Sequence, residues 1–191
     1  MEQPVIRSGV SRPALIVLRG NSASGKTSTA WRLRSLVGES LAIISQDTVC
    51  INMLGEPDVE NGASIEMICR MARIALRRGF HVVLEGILVS ERYGTMLRGL
   101  HRDHAGRTCF FYFDLPWPEL LARHATRKKS QEFGLAEMQR WFIPHDHLPG
   151  VGEVLIGPGS SLDSSAQMIL EAAALPPAHL ASLPASRPPG C

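Results

Sequence analysis

Gly20, Asn21, Ser22, Ala23, Ser24, Gly25, Lys26 and Thr27 fit the pattern GxxxxGK[ST] at every specified position. The chemistry that such a run serves is the holding of a polyphosphate. Glycines let the backbone curl until successive N–H groups point at phosphate oxygens, and a helix that starts there adds its partial positive charge. Lys26 is placed to reach the β- and γ-phosphates of ATP, and the Thr27 hydroxyl to bind Mg2+. Ser28, the next residue, completes the set expected to touch the nucleotide. The competing structural reading is a glycine-rich turn before a helix.

Three further carboxylates stand at the ends of apolar runs: Asp47 after LAIIS and Gln46, Glu85 after HVVL and Asp114 after TCFFYF. A carboxylate there can take a proton, hold a metal or cap a helix. Arg123, His124, Arg127, Lys128 and Lys129 form the densest positive cluster. On a helix, Arg123 and Arg127 share a face, where guanidinium forks suit the charge that spreads over a γ-phosphate in transfer. A solvated helix face is the bland alternative. Arginine outnumbers lysine 17 to 3, as in GC-rich coding sequence, and all three lysines lie in the cradle or this cluster. The chain has no base-reading NKxD, and Glu85 is followed by Gly86 and Ile87 rather than a second acid that could activate water. Transfer to a bound acceptor is therefore favoured over hydrolysis.

The elements that must position these groups alternate in type. Apolar runs at 14–19, 41–45, 81–84, 108–113 and 151–156 read as strands. Helical patterns follow at 26–37, 64–78 with Ser64 as cap, 90–104 with Ser90 as cap, 118–127, 135–142 and 162–174. Strand–helix alternation predicts parallel βαβ units with right-handed crossovers, hence a three-layer α/β domain with ligands at the carboxyl ends of the strands. With 191 residues there is room for one such domain and not comfortably two. The expected division is a flexible 1–12, a domain over 13–174 and a disordered tail at 175–191, which has five prolines and no apolar period.

Composition is ordinary for a globular protein, 45% apolar and 20% charged with a formal net charge of +2. Nothing in it argues for a duplex-binding or membrane-surface protein, no run is long enough to span a bilayer, and residues 1–12 lack the apolar core of a secretory signal. Scattered Cys50, Cys69, Cys109 and Cys191 read as reduced thiols in a cytoplasmic protein. His145-Asp146-His147 hints at a metal, but a surface turn before Pro149-Gly150 is the favoured reading. Arg92 and Tyr93 either line an acceptor pocket or simply sit on a helix.

On GNSASGKT, IISQD, VVLEG and RHATRKK the chain resembles small P-loop kinases of the AAA type, the group of chloramphenicol phosphotransferase, zeta toxins and the kinase half of polynucleotide kinase. The resemblance covers about residues 13–174. It implies a five-stranded sheet of order 2-3-1-4-5, ATP with Mg2+, and a short lid at about 123–142. It makes Asp47 the general base, with Lys26, Arg123 and Arg127 on the transferred phosphate. Thr27 and Glu85 would serve the metal, Glu85 through water, unless Glu85 orients the acceptor instead. The implied acceptor is a hydroxyl of a small molecule, an antibiotic or nucleoside-like compound in a resistance or biosynthetic role. Alternatives are a nucleotide sugar, as in zeta toxins, and a polynucleotide 5' end, although a strand-tracking groove needs more basic and aromatic residues. A nucleotide-dependent regulatory switch is the reading from another class.

Overall fold

The computed structural model describes residues 12–126 and 134–175. Five strands, β1 (Leu15–Gly20), β2 (Leu41–Ser45), β3 (His81–Glu85), β4 (Thr108–Phe113) and β5 (Val154–Ile156), form one sheet. Its order is β2-β3-β1-β4-β5 and every pairing is parallel. The order that the resemblance implied is thus the order observed. β1 is central and buried along its whole length, which is why LIVLRG shows no polar–apolar alternation. Its register sets Leu18 beside Glu85 on one side and Gly20 beside Phe113 on the other. Strand order reverses direction at β1, so the crevice for a ligand opens beyond its carboxyl end.

Helices cover both faces. Leu15, Val17, Val82, Leu84 and Phe110 pack on one side with Ile68, Ala72 and Leu76 of α2 (Ala63–Arg77) and Tyr93, Leu97 and Leu100 of α3 (Ser90–Asp103). Ile16, Leu18, Val83, Phe111 and Phe113 face the other way, against α1 (Lys26–Val37) and α6 (Leu162–Ala173). Burial of each such side chain contributes roughly 1.5–3 kcal/mol. A third, smaller cluster of Ala23, Leu115, Leu120 and Met138 joins the cradle to α4 (Trp117–Ala125) and α5 (Leu135–Trp141). Among the described residues no helix is long and apolar enough to cross a membrane.

Several boundaries move from their sequence expectations. The expected strand at 151–156 shrinks to three residues, because Gly150 and Gly152 take positive φ (+84° and +66°) and Glu153 is drawn toward Arg19. Ser64 does not cap α2: the helix begins at Ala63 after Gly62, and Ser64 is buried in its first turn. Ser90 likewise opens α3 rather than preceding it, and its backbone N–H donates to Asp146 Oδ2 at 2.8 Å. Asp146 is a cap brought from across the fold. Leu175, the first residue of the expected tail, is buried in the second cluster, and its N–H donates to Leu170 O at 2.9 Å. The tail from 176 onward lies outside the described residues.

His81 opens β3 and ties it to the chain before β1, its Nδ1 accepting from the Ala14 N–H at 2.9 Å. Burial holds the imidazole below its ordinary pKa of 6.5. A base whose folded pKa is lowered favours the unfolded chain once it is protonated. Its contribution is therefore complete above the ordinary pKa and lost as pH falls. The melting temperature should drop between about pH 7 and pH 5, and His81→Gln, which keeps an acceptor but cannot titrate, should flatten that slope. An unchanged slope in the variant would remove His81 from the pH dependence.

Candidate active site

The loop from Gly20 to Gly25 closes on itself just past β1. Gly20 (φ +136°) lies against β4, where an added Cβ would come within 2.7 Å of the Phe113 carbonyl oxygen. Gly25 (φ +106°) precedes α1. Between them Ala23 sits at φ +64°, a left-handed conformation that costs a non-glycine residue about 1 kcal/mol or more. Lys26 is buried, and its ammonium arches back to donate to the Asn21 carbonyl (2.7 Å) and Ser24 Oγ (3.1 Å). That places a positive charge across the mouth of the turn, ahead of the N-terminus of α1.

Thr27 and Glu85 meet. The threonine hydroxyl donates to Glu85 Oε2 at 3.0 Å, and the carboxylate is buried at 2% exposure. The β1–β3 register accounts for this, since Glu85 ends the strand next to the one that feeds the cradle. A hydroxyl and a carboxylate oxygen side by side at the foot of a phosphate loop are hard donors of the type that Mg2+ takes. Arg123 arrives from α4: its Nη1 donates to the Ser24 carbonyl at 3.1 Å while Nε is held by Glu119 at 2.8 Å. Its partner in the expected pair, Arg127, lies outside the described residues with Lys128 and Lys129. Asp47 leaves the end of β2, on the far side of β3 from the cradle, and is exposed. It precedes a wide, π-helical segment, Thr48–Leu54, without making a side-chain capping bond to it.

Beside Asp47 a buried polar network ties β2 to β3. Gln46 accepts from the Leu88 N–H (2.9 Å) and donates to Tyr93 OH (3.1 Å). The phenol donates to Asp58 Oδ1 at 2.6 Å, and Arg92 holds Asp58 Oδ2 at 2.8 Å. Burial, and then Asp58, raise the Tyr93 pKa, so the phenol stays a donor. Gly86 makes room for this, because a Cβ there would lie 2.4 Å from Gln46 Oε1. Arg92 and Tyr93 both lie in α3 and belong to this network, Tyr93 as a core residue.

Sequence reasoning missed a second network. Arg19, in β1, is fully buried; Nη2 pairs with Asp146 and Nη1 with Glu153, each at 2.8 Å, and Nε donates to the Leu88 carbonyl at 2.9 Å. Asn21, next to the cradle's first glycine, grips the same segment, exchanging hydrogen bonds with Ile143 through Nδ2 (2.8 Å) and Oδ1 (2.9 Å). The segment from Ile143 to Glu153 is thereby fastened on either side of Gly20, where the phosphate turn begins. A lone arginine inside an otherwise apolar strand was the available signal.

Fold and cradle together define a P-loop nucleotide-binding domain. The chain belongs to an AAA domain family, whose sequence pattern matches residues 15–143. Its fold is similar to that of a sugar kinase from Janibacter sp. HTCC2649, with 16% identity over 85% of this chain and 95% of that one and a TM-score of 0.67. It is similar also to the Mycobacterium tuberculosis APS kinase solved with AMPPNP and APS, at 16% identity over 85% and 98% with a TM-score of 0.65. A third is the Deinococcus radiodurans tunicamycin resistance protein, at 14% identity over 87% and 98% with a TM-score of 0.61. A search of curated protein sequences finds no match.

Proposed function

We propose that this chain is a kinase that moves the γ-phosphoryl group of ATP to a hydroxyl of a small molecule. The observation that carries the reading is the meeting of Thr27 with Glu85 at the foot of the cradle, with Arg123 across its rim. In this reading the backbone N–H groups of Gly20 to Thr27 and the Lys26 ammonium hold the β- and γ-phosphates. Thr27 and Glu85 would hold Mg2+, and the bound ion would offset charge on the phosphate oxygens. Asp47 takes the acceptor proton as the acceptor oxygen bonds to the γ-phosphorus, and the bond to the bridging oxygen of ADP breaks. Arg123 meets the charge that the γ-oxygens share during that exchange, with Arg127 as its partner.

The acceptor is an antibiotic or nucleoside-like alcohol, and the reaction takes place in the cytosol. The names carried by the structural neighbours, a sugar kinase, an APS kinase and a tunicamycin resistance protein, support a small acceptor of this sort. Incubation of the full chain with ATP, Mg2+ and a panel of such alcohols, read by mass spectrometry, tests the proposal. A phosphorylated alcohol is expected, whereas ADP formed at the same rate with and without acceptors would sink it.

Arg123 also separates the roles. Its ground-state partners are the Ser24 carbonyl and Glu119. If its charge is used mainly in transfer, Arg123→Ala should lower kcat about a hundredfold and leave KM for ATP within a few-fold. A rise in KM with kcat unchanged would make it a nucleotide anchor instead.

A further inference from the structure

His145, Asp146 and His147 do not form one surface turn of equivalent side chains. Asp146 points inward, accepting from Arg19 Nη2 and from both the backbone N–H and the hydroxyl of Ser90. With the middle residue anchored, the two histidines are turned the other way, and both converge on Asp114 beyond the end of β4. His145 Nδ1 lies 2.9 Å from Asp114 Oδ2, and His147 Nε2 lies 3.6 Å from the same oxygen. The three potential ligand atoms are all within 4.8 Å of one another.

We propose that Asp114, His145 and His147 bind one divalent transition-metal ion of the zinc class, at a site separate from Thr27 and Glu85. Two imidazoles and one carboxylate form a borderline-soft donor set that suits zinc and its neighbours, whereas Mg2+ prefers oxygen alone. Around zinc, with bonds of about 2.0–2.2 Å, tetrahedral ligand atoms stand about 3.3 Å apart. The two contacts to Asp114 bracket that spacing, so modest side-chain rotation completes the set. Three protein ligands leave a position for water or another donor.

The surroundings hold the ligands in place. Asp114 is fixed by its own N–H, which donates to the Ile156 carbonyl at 3.0 Å across the β4–β5 edge. His147 rests edge-on against Tyr112 with ring centroids 5.1 Å apart, and Tyr112 OH accepts from the Asp146 N–H at 3.1 Å. His145 adopts φ +51°, a conformation that a non-glycine residue keeps only when its surroundings impose it. An ion here would pin the loop at 145–147 to the tip of β4. Since Asn21 grips Ile143 in the same segment, the pin would also steady the frame of the phosphate turn.

The test uses the full chain, stripped of metal with a chelator and free of nucleotide, titrated with Zn2+ by calorimetry and with Co2+ by visible absorption. One equivalent should bind, and a roughly hundredfold excess over the dissociation constant should raise the melting temperature by about 5–10 °C. His147→Gln and His145→Gln, both exposed, should melt like the parent in chelator. Each should bind at least about a hundredfold more weakly, as should Asp114→Asn. The Co2+ spectrum should lack thiolate charge-transfer bands, because no cysteine belongs to the set. No saturable binding, binding unchanged in both histidine variants, or a thiolate band would each overturn the site. Should Asp114→Asn fail to fold, the histidine variants decide alone.

Discussion

Lys26→Ala is expected to remove phosphoryl transfer, lowering kcat by about a thousandfold or more while the domain stays folded. The ammonium lies within the turn proposed to cradle the phosphates, and no other lysine belongs to the described residues. In the proposed reaction it offsets charge on the β- and γ-phosphates, and removal of one such stabilising donor typically costs about a hundredfold to a thousandfold. A full positive charge at a buried position should sit at the upper end of that range. The fold should tolerate the change because the partners left behind have other uses. The Asn21 carbonyl still faces the Ser24 N–H at 3.4 Å, and Asn21 keeps its side-chain clamp on Ile143. Turnover with a surrogate alcohol and a thermal melt on one preparation give both answers. Near-parental turnover in a folded variant would take the cradle out of the mechanism. A collapsed melt would show that Lys26 is structural as well.

The frame of the protein was legible because its signals are local. Each strand was an apolar run with a glycine or a carboxylate at or just past its end, and the five runs fell in the βαβ rhythm that forces a parallel sheet. GNSASGKT could be placed between β1 and α1 before any contact was known. The nearness of Thr27 and Glu85 took one further step, since it depends on β3 lying beside β1. The resemblance supplied that sheet order, and the register then brings the two side chains to 3.0 Å.

What stayed hidden depends on contacts between distant parts of the chain. Arg19 reads as a blemish at the end of an apolar strand until Asp146 and Glu153 arrive from more than a hundred residues away. Asp146 reads as part of a surface turn until it meets Ser90 and becomes the cap that Ser90 was expected to be. β5 was overextended for the same reason. VGEVLI looks like a strand, but Glu153 is spent on Arg19 and on the Leu148 N–H, so only the last three residues join β4. Hydrophobic pattern carries no information about such polar ties.

Asp47→Asn should lower kcat by about a hundredfold to ten-thousandfold, the usual worth of general-base assistance, with KM for ATP nearly unchanged. The substitution keeps the side chain's shape and removes the carboxylate charge that, in the proposed reaction, takes the acceptor proton. Its position makes a clean experiment. Asp47 is exposed and Asn matches its shape, so stability should move little. The polar ties beside it belong to Gln46, whose amide bonds Leu88 and Tyr93, so that network should survive the change. Glu85→Gln should behave differently. Glu85 is buried against Thr27, and an amide there is a poorer metal partner, so activity should fall but recover in part as Mg2+ is raised. The two profiles separate a proton acceptor from a metal partner with any one surrogate alcohol. Full activity with Asn at 47, together with loss at 85 that Mg2+ cannot restore, would exchange the two roles. If neither variant slows transfer, the cradle serves a switch rather than a kinase, because a switch has no use for a base beside an acceptor.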